Sequence, residues 1–478
     1  MQKQTWISNF EPFADKILDK YKVPGTAIAV SKDGEALYQR GIGYRNLEKK
    51  LTVTEDTIFG IASITKSFTA IAIMQLQEAG KLSVEDRVIT YLPEFNISRK
   101  EQADKITIHH FLTHTSGLPT LPSLYFAMKR SMENDPSVTD KQQARLKEHD
   151  PIDHYHHLIA FISELEFDLL GEPGTEFSYS NDAYALLGAI IERVSGLPYD
   201  EYVTEYILKP AGMTSSTFDL DRVINSEHVT TIYASKEEEE EKEIYEAENW
   251  WDSRAMLAGG FLRSTQKDMM RYTELFLNDG KVGEQRILTP ESVKEMTHPH
   301  FQFLEGKYYG YGLMITPDYN GGTLVEHGGS LKGVSSHMSI VPEKGLAGIV
   351  LTNLVGVPVS PLLLGALNSI QGLTPETPLQ TYRDFSVNSN DLIRYIGKYT
   401  SGEFAEMEIS MESDQLSFTT EGKTYPMRPV GKDLFTMEMN ETEVPIRFLF
   451  DHHGENDRLF IGVRQLLKEN SEEKAESV

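Results

Sequence analysis

The stretch Thr57-Ile-Phe-Gly-Ile-Ala-Ser-Ile-Thr-Lys66, continuing as Ser67-Phe-Thr-Ala-Ile-Ala-Ile-Met-Gln-Leu-Gln-Glu-Ala-Gly80, decides how the rest of the chain is read. In its second half Ile64, Phe68, Ile71, Gln75 and Leu76 recur at helical spacing, and Gly80 supplies a C-terminal stop. Nearly every face is apolar, which predicts a helix buried through the middle of a domain. Ser63 and Lys66 stand at its first turn. At i and i+3 they share a helix face, with Cβ atoms roughly 5–6 Å apart. A serine hydroxyl needs a neighbour to take its proton, and an ammonium in an apolar site gives up its own more readily. The helix N-terminus adds partial positive charge that favours an oxyanion. An N-cap serine beside a surface lysine has the same spacing, so this pair alone does not separate chemistry from capping.

Composition narrows the classes. The 478 residues suffice for two or three domains, and 40 % hydrophobic with 25 % charged residues fits a soluble globular protein. The formal net charge of −26, from 72 acids against 46 bases, argues against nucleic acid or an anionic membrane surface as partner. With no cysteine, disulfides, thiolate catalysis and Cys-based zinc sites are excluded. The start Met-Gln-Lys-Gln-Thr-Trp-Ile-Ser lacks a basic region leading into an apolar run, and no long apolar stretch follows. The expectation is a cytoplasmic protein.

Around the central helix, residues 8–22 read as an amphipathic helix. Asp33-Gly34 joins two β-type runs as a hairpin turn. Ile106–Pro119 reads as a short apolar helix ending in His114-Thr-Ser-Gly-Leu-Pro119. Residues 120–156 read as a polar insertion, a lid or an oligomer contact. A helix over 157–169 precedes Tyr179-Ser180-Asn181, with Asn181 or Asp182 as cap of the next helix, which stops at Gly196. The charge run 236–248 reads as a solvated loop or exposed helix. Trp250-Trp251 and Ala258-Gly-Gly-Phe-Leu-Arg-Ser-Thr265 lead into strands at 308–315, 324–330, 334–341 and 346–353, then a helix near 360–370. After the Thr/Pro-rich linker 372–378, short alternating segments over 385–470 suggest a small antiparallel β-barrel, and 471–478 a disordered acidic tail.

Ser63-x-x-Lys66, His114-Thr-Ser-Gly-Leu-Pro119, Tyr179-x-Asn181 and His327-Gly328-Gly329, in this order, resemble the serine β-lactamase-like, penicillin-recognising hydrolases. The resemblance covers roughly residues 10–370. With the barrel it points to the CubicO-type group, which includes self-compartmentalising peptidases with a lipocalin-like C-terminal domain. It implies an α/β (α+β) fold: a β-lactamase/transpeptidase-like domain over 1–375 with an antiparallel sheet and a helical subdomain, plus the barrel over 385–470. It further implies Ser63 as acylated nucleophile and Lys66 as its proton acceptor. Tyr179 becomes general base and acid, its phenolate favoured by Lys66. Asn181 bonds Lys66 and the substrate amide, and the backbone N–H groups of Ser63 and Ser330 hold the oxyanion. His327 points toward the carboxyl side of the substrate, with Gly328 and Gly329 completing its motif.

Where the best-known members have Lys-Thr-Gly, a permanent cation for a substrate carboxylate, this chain has a histidine that is mostly neutral near pH 7. The expectation is therefore a serine hydrolase for small esters or short peptides, of D-aminopeptidase, esterase or peptidase type, with no cofactor. Alternatives are a D,D-carboxypeptidase or weak β-lactamase, and a non-catalytic binding or scaffold protein on the same fold. The histidine clusters at 154–157, 298–300 and 452–453 lack convincing ligand spacing, so no metal is expected. A homo-oligomer remains open on the sequence.

Overall fold

The computed structural model describes residues 2–97, 100–238 and 241–469; the acidic tail of the sequence reading lies outside them. A nine-stranded antiparallel sheet forms the first domain, in the order Phe301–Leu304, Lys307–Tyr309, Met314–Tyr319, Gly322–Leu331, Val334–Val341, Leu346–Thr352, Gly25–Lys32, Glu35–Asn46, Leu51–Thr52. The N-terminal strands Gly25–Lys32, Glu35–Asn46 and Leu51–Thr52 thus complete a sheet whose six other strands come from residues 301–352, with Thr26 paired to Thr352 and Ala29 to Ile349.

Both faces of the sheet's central strands are dry, and the alternation along one of them shows how. Ala27 and Ala29 join the core around the central helix, whereas Ile28 and Val30 join a second core beneath the helices Gln2–Lys20 and Val359–Ile370. On the first side the helix Thr65–Glu78 is buried almost all round, as its composition predicts. It packs against Asn181–Ser195, whose N-cap is Ser180 rather than Asn181 or Asp182: the Ser180 hydroxyl accepts from the Ala183 N–H. Among the described residues no helix is long and apolar enough to cross a membrane.

The described residues 236–238 and 241–246 of the charge run lie in strands, not in a loop or a helix. Tyr233–Glu238 pairs with Glu241–Glu246 in a hairpin, because Tyr233 is buried and Ile244 packs against the second core. The helix expected over 157–169 is Tyr155–Glu164; its C-cap Leu165 has extended backbone, so the chain leaves the helix there. Residues 120–156 are built into the helical subdomain through Tyr125, Phe126, Met128, Met132, Val138, Leu146 and Ile152, all buried. Its Asp135 accepts from the Trp251 indole and pairs with Lys332, tying the segment to the sheet.

The C-terminal strands form a second nine-stranded antiparallel sheet, from Gly397–Thr400 to Arg464–Lys468, curled into a nearly closed barrel around Tyr399, Phe418, Phe435, Ile446 and Leu459. The barrel docks on the segment before the helix Asn181–Ser195. The Tyr179 N–H donates to the Val463 carbonyl at 3.2 Å, and Gln465 Nε2 to the Phe177 carbonyl at 2.9 Å. Phe460 packs with Phe177, Phe303 and Tyr309 in a core of its own.

Candidate active site

Ser63 sits in the 3₁₀ turn Ala62–Ile64, just ahead of the α-helix that begins at Thr65. Ala62 has φ +45°, a left-handed conformation that costs of order 1 kcal/mol or more for a residue with a Cβ. The surroundings enforce it. The Ile61 N–H donates to the Leu262 carbonyl at 3.1 Å, and the Ile61 carbonyl accepts from Ser336 Oγ at 2.8 Å. Gly329 passes so close that a Cβ there would lie 2.3 Å from the Ile61 carbonyl oxygen and 2.4 Å from Ser336 Oγ. The strand Gly322–Leu331 can run beside the serine turn only because this position has no side chain. Ser330 follows, exposed at the end of that strand and paired with Ser335.

Lys66 is fully buried. Its Nζ lies 3.3 Å from Ser63 Oγ, 2.8 Å from Asn181 Oδ1 and 2.6 Å from the Gly259 carbonyl. Burial without an ion-paired carboxylate, and secondarily the nearby Arg464 guanidinium, hold its pKa well below the ordinary lysine value. A neutral amine has two N–H groups and one lone pair. Asn181 and Gly259 take the two donors, which leaves the lone pair for the Ser63 hydroxyl. This arrangement can remove the proton from Ser63. Gly259, within the Gly-Gly turn of the sequence reading, had no role there; a carbonyl aimed at a lysine leaves no signature in a sequence.

Tyr179 is buried beside Ser63, with Lys66 Nζ 4.7 Å from its ring centre. Burial pushes its phenol well above the ordinary tyrosine range, and the hydrogen bond with Ser63 and the Arg464 charge offset only part of that. The expected resting phenolate is therefore disfavoured: with Lys66 neutral, nothing nearby compensates a buried oxyanion fully. Tyr179 rests protonated and can donate. Its backbone is clamped by His114, a left-handed residue at φ +58°. The His114 carbonyl accepts from the Ser178 N–H at 2.9 Å, Nδ1 accepts from the Ser180 N–H at 3.1 Å, and the imidazole lies 4.2 Å from the Tyr179 ring. That gives His114-Thr-Ser-Gly a physical role that the motif alone did not reveal.

His327 departs from its expected place. It is buried, and burial lowers its pKa to about 3, so the ring is neutral. Both nitrogens are engaged: Nδ1 with the Gly328 carbonyl at 2.6 Å, which fixes the proton there, and Nε2 with the Tyr309 hydroxyl at 3.0 Å. It presents no charge to a substrate. Gly328 runs alongside His337, whose Nε2 bonds the buried Glu326 carboxylate at 3.0 Å.

The permanent cation comes instead from the barrel. Arg464 lies over the Tyr179 ring at 4.7 Å and donates to the Tyr179 carbonyl at 2.5 Å. Its other branch donates to Glu403 Oε2 at 2.8 Å, and Glu403 Oε1 accepts from Asn181 Nδ2 at 2.8 Å. The second donor of Asn181, expected to face a substrate amide, is thus met by a carboxylate of this chain. Neither residue was found from the sequence, where each is one charged side chain in a strongly charged barrel.

A family model described as Beta-lactamase matches residues 10–366. The chain belongs to the β-lactamase family. A second model, described as a domain of unknown function (DUF3471), matches residues 384–474. Within the family, the chain is 29 % identical over 345 residues to Protein flp of Staphylococcus aureus, a match spanning 70 % of this chain and 61 % of that one. It is 26 % identical over 352 residues to Penicillin-binding protein 4* of Bacillus subtilis, covering 70 % of this chain and 69 % of that one. Among solved structures it is similar to the octameric penicillin-binding protein homologue from Pyrococcus abyssi, with TM-score 0.68, 29 % identity and coverage of 97 % and 100 %. That structure extends the likeness across the barrel.

Proposed function

We propose that this member of the β-lactamase family is a serine hydrolase that forms an acyl-Ser63 intermediate with small esters or short peptides. The observation that carries this reading is the Lys66 amine, buried, with its donors spent on Asn181 and Gly259 and its lone pair on Ser63. Ser63 Oγ attacks the substrate acyl carbon, forming a C–O bond while its proton passes to Lys66. The leaving group departs with a proton delivered by Tyr179, which regains it from Lys66. Water then cleaves the acyl-serine by the reverse route. The backbone N–H groups of Ser63 and Ser330 stabilise the oxyanion in both steps.

The neutral, fully engaged His327 weighs against a carboxylate-binding D,D-carboxypeptidase or an efficient β-lactamase. The octameric assembly of the Pyrococcus abyssi homologue supports a homo-oligomer here. The reading is tested by intact-protein mass after brief exposure to a fluorophosphonate, for wild type and Ser63→Ala, followed by turnover of p-nitrophenyl acetate. One adduct, absent in Ser63→Ala, with turnover confirms it. No adduct and no turnover in folded protein leaves a binding protein on this fold.

A further inference from the structure

A second cavity, of about 450 Å³, lies where the N-terminal helix, the helix Val359–Ile370, the linker and the barrel meet. Its apolar walls are Phe13, Ile17, Leu364, Leu379, Val444 and Pro445. That volume is of the size that small-molecule sites have. Some of its charges are already spent: Lys20 pairs with Glu441, and Glu443 with Arg428. Lys16 and Glu376 are exposed to water.

The polar end of the cavity is Glu326. Successive strand residues point to opposite faces, so Glu326 turns away from His327 and the cleft, as Leu324 does toward the second core. Its side chain is only 6 % exposed. Oε2 takes His337 Nε2 at 3.0 Å, and Oε1 has no partner among the described residues. Burial opposes its ionisation, but the His337 imidazole and, behind it, Lys307 outweigh burial and hold the carboxyl below its ordinary range. Lys307 is half-buried and lines the same cavity, and no described residue forms an ion pair with it. Ser360 and Pro361, in the first turn of Val359–Ile370, line it too, and that turn has no side-chain cap to meet its partial positive charge.

A buried carboxylate with a free oxygen recognises an ammonium by a charge-assisted hydrogen bond, and an unpaired lysine beside it recognises a carboxylate. A ligand with the ammonium alone is opposed by Lys307, and one with the carboxylate alone is opposed by Glu326. Both charges side by side, on an apolar body, match the whole cavity. A free α-amino acid with an apolar side chain has that form.

We propose that this cavity is a binding site for a free apolar α-amino acid, with Glu326 on its ammonium and Lys307 on its carboxylate, separate from the Ser63 cleft. The inference does not depend on acylation at Ser63, although hydrolysis of short peptides would supply such a ligand.

The test is isothermal titration calorimetry of the full chain with both enantiomers of phenylalanine, and with phenylalaninamide and 3-phenylpropanoate, which each keep one charge. Wild type is expected to bind the accepted enantiomer about 10- to 100-fold more tightly than either control. Glu326→Gln should erase the preference over 3-phenylpropanoate, and Lys307→Met the preference over the amide. A merely structural defect would weaken all the ligands alike. Leu364→Trp, which fills the cavity, should abolish this binding while the fluorophosphonate adduct on Ser63 still forms. If Glu326→Gln does not fold, Lys307→Met and Leu364→Trp decide. No saturable binding, equal affinity for the amino acid and both controls, or binding undiminished in Leu364→Trp overturns the inference. Absence of the Ser63 adduct from wild type removes the hydrolase reading and leaves this one standing.

Discussion

Two halves of the candidate active site are built by opposite means. Ser63, Lys66, Asn181 and Gly259 lie in the dry interior of the first domain, fixed by a strained Ala62, a close-packed Gly329 and short hydrogen bonds with no charge partner among them. Glu403 and Arg464 arrive from the barrel, part-exposed and paired as ions, anchored by one glycine and a ring of surface charges. The interior half withholds charge: Lys66 is buried with no carboxylate paired to it, which holds its pKa well below the ordinary lysine value. The barrel half gains definition from what it pairs. The two halves meet at Asn181, whose amide joins Lys66 to Glu403, and at the Tyr179 carbonyl, which Arg464 holds.

The sharpest break is expected from Lys66→Ala, which removes the proton acceptor and should lower kcat/KM on the order of 10³–10⁴-fold, read with p-nitrophenyl acetate. Next, Asp182 is buried beside this half, and burial raises its pKa to about 7. The folded state keeps a proton that the unfolded chain releases near the ordinary carboxyl value, so stability falls as pH rises from about 4 to about 7 and is flat above. Asp182→Asn, which still accepts from Ser123, should abolish that slope and gain a few kcal/mol at pH 8, measured by urea unfolding across pH.

On the barrel side, Gly402→Ala meets the Thr120 carbonyl and should displace the segment that carries Glu403, costing about 1–3 kcal/mol by thermal unfolding while the fluorophosphonate adduct on Ser63 still forms. Arg464→Gln removes a positive charge that depresses Lys66, so the Lys66 pKa should rise and the acid limb of the kcat/KM profile move to higher pH. An unmoved limb would mean that the two halves are not electrostatically joined. The smallest effect is expected from Lys141→Ala, an exposed partner of Glu406, under about 1 kcal/mol in unfolding.

The same division governs what could be read in advance. The central helix was legible because an all-apolar stretch of that length must be buried, and Ser63 and Lys66 were legible because three residues on a helix fix a distance. Tyr179 and Asn181 followed from their motif. His327 was placed on its strand correctly, but its side-chain direction depends on Tyr309, which nothing local specifies. The charge run became a hairpin because Tyr233 and Ile244 found a core formed by distant strands. Glu403 and Arg464 meet Asn181 and Tyr179 only through the docking of one domain on another, and no periodicity or spacing encodes that contact.

Arg464 opens the strand Arg464–Lys468, which closes against Tyr399 and Thr400 near the last described residues, whereas Ser63 belongs to the first strands and helices made. On the ribosome, domains generally fold as units in order of synthesis. The half that holds Ser63 is therefore translated before the guanidinium that covers Tyr179. In the nascent chain Ser63 and Lys66 precede their cover, and the last of the described strands is the one that gives the cleft its wall.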